Sequence, residues 1–252
     1  MIVQRRIRKY QAPLHKYMLD GGMENKRAIS IAHRRWGKDE IALDVTFQAL
    51  IERPATYWTC LPEFAQARKA IWSAVNPHTG LRRIDEAFPE ELREVTNEGE
   101  MFIRFKNGAT WQVIGSDRYN SLVGASVAGI TFSEWALDNP SAWGYISPML
   151  RENNGWAMFV TTPRGKNHAF EMYNYGMRTE GWFAEISNVV DTGAFAEAQL
   201  DEIRAEYIAL YGTDFGAAQF EQEYMCSFEA AILGSFYGTE LSVARSEGRI
   251  CE

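Results

Sequence analysis

The sequence predicts a three-layer α/β sandwich around a largely parallel sheet. Short apolar runs alternate with amphipathic helical stretches from Ala28 to Ser187. A basic tight loop, Ala32-His33-Arg34-Arg35-Trp36-Gly37-Lys38-Asp39, joins the first run to the first long helix. After Val190 the pattern turns purely helical. Compact apolar strands separated by helices mark a sheet covered on both faces.

Ala28–Ala32 reads as the first buried strand, and 38–50 as a helix with Ile41, Val45 and Leu50 among its apolar positions. Thr56–Cys60 is a second strand, stopped by Leu61-Pro62, and 63–75 a helix lined by Phe64, Ala67, Ile71 and Val75. Asn107-Gly108 between 101–105 and 110–114 signals a hairpin. Strands follow at 127–132, 157–162 and 182–187, with helices from Asn139-Pro140 to about residue 150 and at 167–175. Helices at 195–211 and 215–225 form a small helical subdomain. The expected division is a core over 1–190, a helical subdomain over 191–232, and a linker and beginning of a further unit over 233–252, with Gly234–Gly238 inside it.

The 252 residues, 46% hydrophobic and 13% aromatic, suffice for a large buried core. Three cysteines, Cys60, Cys226 and Cys251, are too scattered for a disulfide framework or a zinc site, and the four histidines lack metal spacing. Without a run of eighteen apolar residues no membrane span is expected, and the basic N-terminus lacks the apolar centre of a signal peptide. A reducing cytoplasm suits this composition.

The net charge of −7 is unevenly placed. Residues 1–38 hold ten Lys or Arg against Asp20 and Glu24, whereas residues 180–252 hold three Arg against fourteen acids. A basic front suits polyphosphate or DNA on one face; ordinary solvated charge is the plainer account for most of these residues.

Ala32-x-x-x-x-Gly37-Lys38 has the frame of a phosphate-binding loop, in which backbone amides at a helix N-terminus and one Lys converge on oxyanions. The competing account is a basic turn capped by Asp39. Asp39 replaces the Ser or Thr hydroxyl that such loops usually offer to Mg2+. Reciprocally, the strand ending Phe132-Ser133-Glu134 carries Ser133 where a magnesium-binding Asp is expected. The metal donors thus trade places, with Asp39 expected to contact Mg2+ directly or through water and Ser133 in its outer shell. Glu134, at a strand's C-terminal end, can orient water for in-line attack on a γ-phosphate.

Lys38 and Arg34 are candidates to hold the β- and γ-phosphates, and Arg35 shares Arg34's position inside the loop. His33, Trp36 and Gly37 complete the expected nucleotide-facing loop, although His33 also reads as loop packing. Thr161-Thr162-Pro163 ends the next strand, where hydroxyls can sense phosphate loss; a simple strand terminus is the competing account. Tyr10-Gln11 offers a ring to stack on adenine and an amide to read its edge. Arg118 reads either as a surface residue or as a charge offered to a neighbouring subunit.

In order and spacing these segments resemble the large terminase subunit of tailed bacteriophages. Tyr10-Gln11 resembles its adenine motif, 32–39 a variant Walker A, and 132–137 a variant Walker B with its glutamate. Val160-Thr161-Thr162-Pro163 is similar to the coupling motif, and Phe220-Glu221-Gln222-Glu223-Tyr224 to the segment closing the helical lid. The resemblance implies a P-loop ATPase of the additional-strand, catalytic-glutamate class that binds ATP and Mg2+ and drives double-stranded DNA into a procapsid. It implies a ring, pentameric in that family, a portal protein and a small terminase subunit as partners, and a host-cytoplasmic location, transiently at the portal. Such proteins carry a C-terminal nuclease. No acidic cluster for a nuclease metal site is readable here, so DNA cleavage is not expected. The family often places an Arg beside the Gly preceding the Walker B strand; Val123-Gly124 stands there instead, leaving Arg118 as the substitute trans-acting residue. A helicase-type ATPase and a weakly hydrolysing nucleotide switch are the rival readings.

Overall fold

A computed structural model describes residues 7–122 and 124–229, together with Ala244 and Arg249. Val123, the expected linker at 234–238 and nearly all of the expected unit at 233–252 lie outside the described residues.

A short 3-10 turn, Lys9–Gln11, leads into α1 (Ala12–Leu19), whose Pro13 lies in the first turn, where its missing N–H breaks no helical bond. The parallel strands are β1 (Arg27–Ala32) and β2 (Thr56–Leu61), then β5 (Thr110–Gly115), β6 (Gly129–Ser133), β7 (Trp156–Thr161) and β8 (Trp182–Ser187). Two antiparallel strands, β3 (Arg93–Asn97) and β4 (Phe102–Phe105), extend the sheet at one edge. The eight strands run β3-β4-β5-β2-β6-β7-β1-β8. One strand, β7, therefore stands between β1, which feeds the loop, and β6, which ends just before Glu134.

Alternation along the strands divides the interior into two apolar layers. Ala28 and Ala32 of β1 join a cluster with Leu14 of α1 and with Ile41 and Val45 of α2 (Lys38–Glu52). The same cluster takes in Ala67 of α3 (Phe64–Ala67) and Ile84 of α4 (Arg83–Ala87). Ile29 and Ile31 face the other way, with Ile146 and Leu150 of α5 (Ser141–Glu152) and Ala169 of α6 (His168–Arg178). Helices thus cover both faces, as the strand pattern implies.

After β8 come α7 (Val189–Thr192), α8 (Glu197–Tyr211) and α9 (Thr213–Glu223). Val189, Phe220 and Tyr224 form a separate small cluster there, joined by Phe195, Leu200, Ile203 and Tyr207.

Three differences from the sequence reading have local causes. The helix expected over 63–75 is α3 continued as a π-helical stretch, Arg68–Trp72, and it ends there. Pro77 disfavours helical backbone at Asn76, and Val75 instead forms an isolated bridge to Arg82. β3 escapes the sequence reading because its residues Glu94–Asn97 are exposed, so no apolar alternation marks it. α4 is barely more than one turn, too short for a periodic signal.

Candidate nucleotide site

The loop after β1 is held from three sides. From below, Trp36 is fully buried and its indole Nε1 donates to Ser187 Oγ at 2.8 Å. From the N-terminal segment, Arg8 Nη1 and Gln11 Nε2 donate to the Trp36 carbonyl at 2.8 and 3.0 Å. From the helical pair, the Glu223 carbonyl accepts the Arg34 amide at 2.8 Å, while the His33 amide donates to Ser187 O at 3.1 Å.

Two loop residues have positive φ, Arg35 at 68° and Gly37 at 92°. The φ of Gly37 favours glycine, and a Cβ there would come within 2.6 Å of Arg8 Nη1 and 2.8 Å of Gln11 Nε2, so those side-chain ends would have to move aside. Immediately beyond, Lys38 starts α2. The first amides of that helix have no intrahelical acceptor and carry its positive dipole end, which is the electrostatic basis of an anion site.

Lys38 is only 9% exposed. Its Nζ donates to Thr162 Oγ1 at 2.7 Å and lies 3.7 Å from Glu134 Oε1. The loop, the end of β6 and the end of β7 thus converge on one ammonium. Glu134 has φ 64°, ψ 42°, a left-handed conformation uncommon for a residue with a side chain. Its amide donates to Val160 O at 2.8 Å. Thr161 Oγ1 accepts the Ala136 amide at 3.0 Å and donates to Thr162 O, tying β7 to the turn after Glu134.

The exchanged pair is also brought together. Ser133 Oγ donates to Asp39 Oδ1 at 2.5 Å, and Arg83 Nη1 donates to Asp39 Oδ2 at 3.3 Å. A carboxylate and a hydroxyl beside Lys38 are hard oxygen donors of the kind Mg2+ takes alongside phosphate and water. Among the described residues no group of three or more His, Cys, Asp or Glu gathers elsewhere as a metal cage.

Several expected contacts take a different form. Gln11 is buried with both ends of its amide engaged: Oε1 accepts the Arg8 amide at 3.0 Å, and Nε2 serves the loop carbonyls. It braces the loop from behind. Tyr10 packs on Trp36 with ring centroids 5.6 Å apart. His33 is fully buried, with Nδ1 2.7 Å from the Arg34 carbonyl and Nε2 2.8 Å from Thr192 Oγ1. Burial, with Lys38 and Arg8 nearby, lowers its pKa against the opposing effect of the Arg34 carbonyl. Arg34 is paired with Glu223 at 3.0 Å, and Arg164 pairs with the same carboxylate. Arg35 is exposed.

Arg118 is not brought to the loop. It follows β5, four strands from β1 in the sheet order, or roughly 19 Å at ~4.8 Å per strand. Its side chain is 68% exposed, with the guanidinium 5.2 Å over the Phe64 ring. Residues the sequence reading missed are Arg8, Arg83 and Arg164. Of these, Arg164 adjoins Thr161-Thr162-Pro163 and Arg8 stands two residues before Tyr10-Gln11, whereas Arg83 has no motif beside it.

The fold and this site together define an α/β sandwich with a glycine-lysine loop at the C-terminal edge of its sheet. No family model matches the chain. It is 28% identical over 168 residues to the terminase large subunit of Thermus phage G20c, covering 61% of this chain and 34% of that protein. It is 30% identical over 146 residues to that of Escherichia phage T5, covering 57% and 32%. The chain therefore spans about a third of the length of these relatives. Its fold matches the large terminase ATPase domain of Thermus phage P74-26 at a TM-score of 0.68 and 21% identity, over 90% of this chain and 96% of that one. The large terminase of a thermophilic bacteriophage, in complex with ADP, matches at a TM-score of 0.64 and 15% identity, over 88% and 54%. In sequence and in fold the chain resembles the ATPase domain of a phage large terminase.

Proposed function

We propose that this chain is the ATP-hydrolysing motor domain of a viral terminase, translocating double-stranded DNA into a procapsid. The observation that carries this is the convergence of Lys38, Glu134 and Thr162 at the C-terminal ends of β1, β6 and β7. A polyphosphate on the amides around Gly37 would meet the Lys38 charge, with the Glu134 carboxylate on the opposite side. The strand between β1 and β6, and a glutamate just after β6, support placement in the additional-strand, catalytic-glutamate class.

In the proposed reaction ATP binds on the loop, with Lys38 and Arg34 against the β- and γ-phosphates. Glu134 accepts a hydrogen bond from the attacking water and orients it in line with the γ-phosphorus. Asp39 would hold Mg2+ directly or through water, with Ser133 in its outer shell, and the ion would supply charge neutralisation to the phosphates. The Lys38 hydrogen bond to Thr162 offers a route for loss of the γ-phosphate to reach β7, and the Arg34–Glu223 pair offers one to α9. Residues 1–190 are assigned as the core and 191–232 as a lid. A homo-oligomeric ring, pentameric by analogy, a portal protein and a small terminase subunit are the proposed partners, in the host cytoplasm, with Arg118 as a residue offered to a neighbouring subunit. The DNA-translocating reading is supported by the similarity to terminases over the matched residues.

Phosphate release from ATP, measured with and without Mg2+ on wild type and Glu134→Gln, tests this. Mg2+-dependent turnover lost in the variant supports it; equal rates would favour a nucleotide switch.

A further inference from the structure

Asp39 raises an electrostatic problem that a Ser or Thr at that position does not. It places a carboxylate beside the phosphate-binding loop in a side-chain environment only 26% exposed, where an uncompensated charge is costly. Lys38 does not answer it, since its ammonium is directed to Thr162 and Glu134. The cation that reaches Asp39 is Arg83, 44 residues further along the chain, with Nη1 3.3 Å from Oδ2.

The base of that arginine is firmly placed. The Arg83 amide donates to Ala74 O at 2.8 Å. Its neighbour Arg82 pairs with Asp85 and Glu98, and buried Arg93 closes onto Asp85 and the Phe88 carbonyl. The guanidinium therefore works from a stiff platform, and only its side chain needs to move.

We infer that Arg83 is a resident counter-cation for Asp39, competing with Mg2+ for the carboxylate and so setting the metal concentration at which nucleotide is engaged. This rests on the nucleotide reading above. Ser133 holds Oδ1 and Arg83 holds Oδ2, so a divalent ion entering here must share or displace the guanidinium. Two cations on one carboxylate repel, and removing the resident one strengthens binding of the other.

The test is ADP binding by calorimetry across a Mg2+ titration and in EDTA, on wild type, Arg83→Gln and Arg83→Lys. Mn2+ binding without nucleotide is followed separately by EPR. In Arg83→Gln the Mg2+ midpoint should fall roughly fivefold, the upper range for a part-exposed ion pair. Mn2+ should bind more tightly by a similar factor, and ADP affinity in EDTA should stay unchanged. Arg83→Lys, keeping the charge, should lie close to wild type. An unchanged or raised midpoint overturns the inference, and so does a matching loss of affinity in EDTA, which would make Arg83 a phosphate ligand. Should wild type bind no ADP under any condition, the nucleotide reading itself falls. If Arg83→Gln does not fold, Arg83→Lys with the Mn2+ measurement still decides: a midpoint shifted as far as a full loss of charge would produce overturns it.

Discussion

Glu134 reaches Lys38 across an intervening strand: its carboxylate stands 3.7 Å from the ammonium, although β7 separates the two parent strands. The left-handed backbone at Glu134 turns the chain out of β6 at that point, and the bond from its amide to Val160 O fixes the turn. Replacing the carboxylate by its amide keeps the shape and removes the acceptor charge. Glu134→Gln is expected to lower steady-state phosphate release by about 100-fold or more, in the range for loss of a positioned base. ADP affinity, measured in parallel, should change little.

Gly37 combines a φ of 92° with the close approach of Arg8 and Gln11. Gly37→Ala should destabilise the fold by about 1–2 kcal/mol from the left-handed backbone alone. It should also weaken nucleotide binding, because Gln11 must withdraw from the loop carbonyls. Urea denaturation and ADP titration measure the two effects.

Asp138 is buried, and neither carboxylate oxygen has a hydrogen-bond partner among the described residues. Ser116 lies near it, but that hydroxyl donates to Pro62 O and accepts the Asn139 amide. Burial, with Glu134 adding repulsion, raises the Asp138 pKa well above its ordinary 3.8. The folded state therefore holds this proton more tightly than the unfolded chain does. The stability it contributes is complete below the unfolded value and is lost as pH rises toward the folded one. Asp138→Asn should accordingly raise the melting temperature at neutral pH, with the gain over wild type shrinking as pH is lowered toward 4. A gain that grows on acidification would contradict the assignment.

Glu223 is 5% exposed and holds both Arg34 and Arg164. Glu223→Gln leaves two guanidinium groups without their shared anion. Arg34 is half exposed, so the loss is moderate, about 1–3 kcal/mol rather than the full cost of breaking a buried pair. Amide hydrogen exchange in α9 and at the loop should accelerate together, and independent changes would show that the two are not coupled.

The readable parts of the site are those written in contiguous residues. Ala28–Ala32, the segment ending in Glu134 and Val160-Thr161-Thr162 each join an apolar run to a polar terminus, so strand and chemistry are visible together. β8 has the same bounds in the structure as in the sequence reading. The remainder depends on contacts between distant segments. Arg83 meets Asp39 over 44 residues and Arg34 meets Glu223 over 189, and although Asp39 and Glu223 each lie in a readable segment, nothing local pairs them with these arginines. Gln11 is the instructive case. Its residue type suits a base-reading amide, yet the fold directs that amide at the loop, because carbonyls turned inward by the tight backbone of 35–37 need donors. His33 and Trp36 likewise lie in the loop, but their side chains face protein.

The two helices after α7 differ in how they are fastened. α9 ends in a residue joined to the loop through its carbonyl and its carboxylate, whereas α8 has no buried residue at all. α9 is thus tied to the loop directly, and α8 only through its packing on α9. Displacing the loop therefore drags α9 first, and substitutions at Leu200, Ile203 or Tyr207 of α8 loosen the contact through which that movement passes on.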